Sequence, residues 1–83
     1  MSLHLIRAQI TLEDAEDVIR IISDMLERIS IRPSEITIRP IRISDEGDIY
    51  ELHATFVAEK SQVQKLQEQL WYSGMKLKVE ELP

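Results

Sequence analysis

Residues 34–58 read Ser-Glu-Ile-Thr-Ile-Arg-Pro-Ile-Arg-Ile-Ser-Asp-Glu-Gly-Asp-Ile-Tyr-Glu-Leu-His-Ala-Thr-Phe-Val-Ala, and they decide the architecture. Two apolar runs flank the polar turn Ser44-Asp45-Glu46-Gly47-Asp48, which is a hairpin signal, with Gly47 free to take positive φ. In the first run, residues 35–43, the alternation slips: Ile36 and Ile38 share one phase, Ile41 and Ile43 the other. Pro40 sits at the slip. Proline cannot donate to a ladder, so this run is expected at a sheet edge, with a bulge at Arg39–Ile41. Such a bulge would turn all four isoleucines to one face. The second run, 49–58, alternates cleanly. Tyr50, Leu52, Ala54, Phe56 and Ala58 point inward and Glu51, His53 and Thr55 outward.

Outward from the hairpin, residues 3–10 form another strand, with Ile6, Ala8 and Ile10 in phase and Leu3 and Leu5 on the opposite face. Residues 12–30 carry Ala15, Val18, Ile19, Ile22, Met25, Leu26 and Ile29 at helical spacing. Thr11 is the expected N-cap, its hydroxyl accepting a backbone N–H. Glu13, Asp14, Glu16 and Asp17 suit the first turns and Arg28 the last. Ile21 lies off the stripe, exposed or against a partner. Pro33 ends this segment. A second helix runs from about Ser61 to Ser73, with Ser61 and Gln64 in a capping-box pattern, Val63, Leu66 and Leu70 as its stripe and Gly74 as its stop. Residues 75–82 form the last strand, with Met75, Leu77 and Val79 inward and Lys76, Lys78 and Glu80 outward.

The order is β-α-β-β-α-β. With right-handed crossovers its compact solution is an α+β two-layer sandwich of ferredoxin-like fold, with a four-stranded antiparallel sheet in order 4-1-3-2 and both helices on one face. This order puts the Pro40 strand at an edge, as the proline requires. The whole of 1–83 reads as one domain. Met1-Ser2-Leu3 at the start, and the end at Pro83 just past the last apolar run, fit a domain cut from a longer chain as well as a complete one.

Composition removes several chemistries. The 83 residues contain no cysteine, which excludes disulfides, thiol nucleophiles and thiolate metal sites. A net charge of −5 argues against a dedicated nucleic-acid binder. No apolar stretch reaches the length of a membrane span, and no signal pattern opens the chain, so a cytoplasmic location is expected and this segment does not insert into a membrane. No glycine-rich phosphate loop, metal cluster or Ser–His–acid set is present, so neither catalysis nor a cofactor is expected.

The candidate site is an interface. Leu3, Leu5 and Arg7 fall beside Glu51, His53 and Thr55 on the outer sheet face. That face is either solvated with cross-strand charge pairs, or a protein contact, or a seat for a small polar ligand. His53 and His4 sit on neighbouring strands but on opposite faces, so they share no metal; a histidine on an interface titrates near neutral pH. Trp71, on the flank of the second helix stripe, is either an interface anchor or a cover for the sheet edge. Asp45, Glu46 and Asp48 are an acidic turn or a set of oxygen ligands for Ca²⁺, although their spacing is not that of an EF-hand. Arg32, Arg39 and Arg42 are edge guards or a grip for an acidic partner.

The alternating strand and long amphipathic helix, followed by "SEITIRPIRISDEGDIYELHATFVA" and "VQKLQEQLWYSGMKLKVEEL", resemble ACT-like regulatory domains. More narrowly, the layout is similar to the soluble C-terminal domain of the MgtC/SapB family of membrane proteins. The resemblance implies a non-catalytic regulatory or assembly domain that acts as a homo-oligomer, such as a dimer, or by docking a protein partner. It also implies a cytoplasmic location, including that of a cytoplasmic domain of a membrane protein. The alternative is a sensor that binds an amino acid or other metabolite between subunits. ACT domains usually carry a glycine in the loop after the first strand; Gln9-Ile10-Thr11 has none, so no ligand residue is carried over.

Overall fold

The computed structural model describes residues 1–74 and 77–83. Its elements are β1 (Ser2–Ile10), α1 (Leu12–Arg28), β2 (Pro33–Arg42), β3 (Ile49–Ala58), α2 (Lys60–Ser73) and β4 (Lys78–Glu81). The sheet order β2-β3-β1-β4, antiparallel throughout, is the expected 4-1-3-2 read from the other side. The fold is ferredoxin-like.

Period-2 alternation places Ile6, Ala8 and Ile10 of β1 beside Leu52, Ala54, Phe56 and Ala58 of β3 on one face. Ala15, Ile22, Met25 and Leu26 of α1 and Leu66 and Leu70 of α2 close over that face and bury it with them in one core. Phe56 and Leu52 are fully buried at its centre. His4 also points inward, buried, with its ring stacked on Phe56 at 5.6 Å and Nδ1 3.0 Å from the Ser2 carbonyl. The two histidines therefore face opposite sides of the sheet, as alternation requires.

Several local expectations change. Thr11 is the N-cap of α1, but its hydroxyl donates to Asp14 Oδ2 at 3.0 Å instead of accepting a backbone N–H. The helix stops before Pro33 is reached. Ser30 turns to φ 60°, its N–H bonds the Glu27 carbonyl at 3.0 Å, and Ile31 N–H bonds the Leu26 carbonyl at 2.8 Å. This left-handed C-terminal motif satisfies the last carbonyls and drops Ile31 into the core. Ile21, off the stripe in sequence, packs at the core margin. The second helix starts one residue earlier than Ser61, at Lys60, with Glu59 as N-cap. Its capping box joins Glu59 to Gln62, not Ser61 to Gln64, and Gln62 Oε1 accepts the Glu59 N–H at 2.9 Å. Gln62 Nε2 also donates to the Ile29 carbonyl at 3.1 Å, which ties the start of α2 to the end of α1.

The Pro40 strand lies at the edge and carries the bulge: Pro40 pairs with Tyr50 and Arg42 with Ile49, leaving Ile41 as the extra residue. A second irregularity lies between Pro33 and Glu35. The four isoleucines nevertheless separate. Ile36 and Ile38 pack at the core margin, whereas Ile41 and Ile43 are 50% and 65% exposed. The bulge turns the strand, but the hairpin runs on past the core, so no apolar surface is left to receive them. The last strand is shorter than expected among the described residues, Lys78–Glu81. Met75 and Lys76, expected to point inward and outward, lie outside the described residues, while Leu77 and Val79 pack at the core margin as expected.

Candidate functional site

Both helices cover the inner face, so the outer face of the sheet is bare. The strand register arranges it in rows. Arg39, Glu51 and Gln9 form one; Thr37, His53, Arg7 and Lys78 the next; Glu35, Thr55, Leu5 and Glu80 the third. Beyond them lie Val57 and Leu3, and the Leu82 N–H donates to the Leu3 carbonyl at 2.8 Å, which continues the row.

The polar rows are held together by shared carboxylates. Arg7 Nε lies 3.7 Å from Glu51 Oε1 and Arg7 Nη2 3.7 Å from Glu80 Oε2, so one guanidinium bridges β3 and β4. His53 Nε2 bonds the same Glu51 oxygen. An ionised carboxylate only accepts, so Nε2 carries the hydrogen. That bond, and then the Arg7 and Arg39 guanidiniums, hold the Glu51 carboxyl below its ordinary value of 4.5 against the opposing effect of burial. Arg7, Gln9, Glu51, Lys78 and Glu80 line a shallow groove here.

The structure thus brings Leu3, Leu5, Arg7, Glu51, His53 and Thr55 onto one surface. Leu5 faces outward as expected but is only 6% exposed, so it offers almost no area to a partner. It is hemmed in by Thr55 and Glu80 across the strands and by Leu3 and Arg7 along its own. The exposed apolar area belongs instead to Leu3, at 38%, and Val57, at 47%. Val57 is the residue the sequence reading passed over. Its odd position in 49–58, in phase with Glu51, His53 and Thr55, was the available signal. Trp71 does not join this surface. It lies on α2 in the helix layer, 83% exposed, beside a groove lined by Leu70, Leu77 and Val79.

The hairpin turn is an ordinary one. Gly47, at φ 121°, donates to the Ser44 carbonyl at 3.1 Å, and Asp48 Oδ1 accepts the Ser44 N–H at 3.2 Å. Among the described residues no group of three or more His, Asp or Glu side chains is placed to hold a metal ion, and no helix is long and apolar enough to cross a membrane.

No family model and no curated protein matches the chain. Its fold is similar to that of several solved proteins. One is 30S ribosomal protein S6 from Thermotoga maritima, at 10% identity and TM-score 0.68, over 98% of this chain and 87% of that one. Another is the C-terminal domain of the MgtC protein from Mycobacterium tuberculosis, at 10% identity and TM-score 0.66, over 99% and 88%. A third is a putative PII-like signaling protein from Thermus thermophilus, at 16% identity and TM-score 0.58, over 99% and 90%. At these identities the likeness is one of fold, and it includes the MgtC domain whose layout the sequence resembles.

Proposed function

We propose that this chain is a regulatory or assembly domain without chemistry of its own, acting by pairing with a second copy through the outer sheet face. The observation that carries the reading is that face itself: uncovered by any helix, apolar at the Leu3–Val57 corner and evenly charged beside it. In the rows of Glu51, His53 and Thr55, the carboxylates Glu35, Glu51 and Glu80 balance the cations Arg7, Arg39 and Lys78. An antiparallel pairing of two such faces sets Lys78 of one copy over Glu80 of the other, and the reverse, as two-fold symmetry requires. Three strands of about nine residues, at roughly 3.3 Å per residue and 4.8 Å between strands, give a footprint of about 450 Å² before side-chain relief. That is the same order as the roughly 800 Å² of accessible surface that a standard interface takes from each partner. A small domain also has motive to pair, since it buries a smaller share of its surface alone.

The fold shared with the MgtC C-terminal domain and a PII-like signaling protein supports a regulatory setting. In this reading residues 1–83 act as one unit in the cytoplasm, alone or carried by membrane helices. Sedimentation equilibrium tests it. A concentration-dependent dimer is expected in the micromolar range, and a chain that stays monomeric at millimolar concentration overturns the reading.

The groove of Arg7, Gln9, Glu51, Lys78 and Glu80 supports a second reading, a sensor for a small polar metabolite bound on the same face. A thermal-shift screen of metabolites separates the two. A ligand that raises the melting temperature in a dose-dependent way is expected only of a sensor.

A further inference from the structure

We infer that pairing through the outer face is gated by His53: two copies associate while its imidazole is neutral and separate when it takes up a proton. This rests on the self-association reading above and adds its regulation. His53 stands mid-sheet on β3, with Arg7 directly across on β1 and Lys78 beyond it on β4. A proton on His53 therefore makes three cations in one row. The uncharged Thr37 flanks it on β2.

The carboxylate that touches His53 also serves Arg7, and Glu35 and Glu80 lie a row away. Glu51 is shared between His53 and Arg7, and Arg39 lies opposite it on β2. Glu80 holds the other arm of Arg7 at 3.7 Å, and Glu35 lies a row away, opposite Thr55. With His53 neutral the three rows balance; each protonation leaves one positive charge in excess. In the free chain water screens that charge, because the His53 and Arg7 side chains keep 21% and 42% of their exposure. In the pair water is displaced and two faces of the same sign oppose each other, where the repulsion is larger. The proton thus binds the free chain more tightly than the pair. Association holds above the range in which histidine titrates and is lost as pH falls through it. His4 is on the other side of the sheet, buried against Phe56, and takes no part.

The test is sedimentation equilibrium at pH 7.5 and 5.5, at fixed ionic strength, on the full chain and on His53→Gln. The variant keeps a donor toward Glu51 but cannot charge. His53→Thr, which favours a strand, is a second neutral variant, and circular dichroism at pH 5.5 checks that each is folded. Two protons per pair allow a change of up to about 100-fold per pH unit. A weakening of at least about tenfold is expected for the parent chain, and less than about twofold for either variant. Equal pairing at both pH values, or an unchanged pH effect in the variants, overturns the gate and leaves self-association standing. A monomer at both pH values, up to millimolar concentration, overturns the pairing and the gate together.

Discussion

Leu3, Val57 and Leu5 all face outward, yet they differ in how much of each stays in water, and substitution separates the roles that the proposed pairing gives them. Fully burying a Leu or Val side chain contributes about 1.5–3 kcal/mol. Leu3 is 38% and Val57 47% exposed in the single chain, so the unspent portion is about 1 kcal/mol at each position. A symmetric pair counts each twice, which makes roughly 3–5 kcal/mol available to association. Alanine at both positions leaves a methyl group behind and removes about 2–3 kcal/mol of this, so the dissociation constant of Leu3→Ala/Val57→Ala rises about 30- to 150-fold. The fold itself changes little. Leu5→Ala behaves in the opposite way. At 6% exposure its burial is already complete in the single chain, and truncation costs about 2–3 kcal/mol of folding stability. The low end of the usual range applies because this sheet face is open and its neighbours can settle inward. For a domain of this size that lowers the melting temperature by roughly 10–20 °C. Sedimentation equilibrium reads the first effect and thermal circular dichroism the second. Unchanged association in the double variant, or a Leu5→Ala melting temperature within about 3 °C of the parent, refutes the division of roles.

Two further outcomes follow from the interior and the charge network. Phe56→Ala removes a fully buried ring and its stack with His4, at a cost of about 3–5 kcal/mol, a large share of the roughly 4–12 kcal/mol expected of 83 residues. Thermal circular dichroism should show a melting temperature lowered by roughly 12–40 °C; a cooperative transition near that of the parent would contradict the central place given to Phe56. The Glu51 carboxyl is depressed in the folded chain, so the stability it contributes is present above its ordinary value of 4.5 and is lost as pH falls below it. Urea unfolding between pH 6 and pH 3 should therefore decline less steeply in Glu51→Gln than in the parent chain, and parallel declines would show that the His53 and Arg7 contacts do not favour the ionised form.

Much of the framework was legible because it depends on local pattern. The α1 stripe from Ala15 to Ile29 and the alternation of 49–58 need only the two repeat periods, 3.6 and 2. Pro40 at a phase slip announced both the edge position and the bulge, since a missing N–H is a constraint wherever the residue sits. The capping box was less legible. Ser61 and Gln64 fit the pattern as well as Glu59 and Gln62 do, and the choice falls to where α2 meets the Ile29 carbonyl at the end of α1.

Chain order and periodicity alone thus settled the strand order, the side each helix covers and the face each β residue presents, because covalent geometry makes side-chain direction a local property. Packing between distant segments decided how much of each residue stays in water. Leu5 lies outward yet buried under its cross-strand neighbours, Ile41 and Ile43 run out beyond the core, and Trp71 sits in the helix layer away from the outer sheet surface. Exposure is a sum over neighbours brought from far along the chain, and those neighbours exist as such only once the sheet has closed.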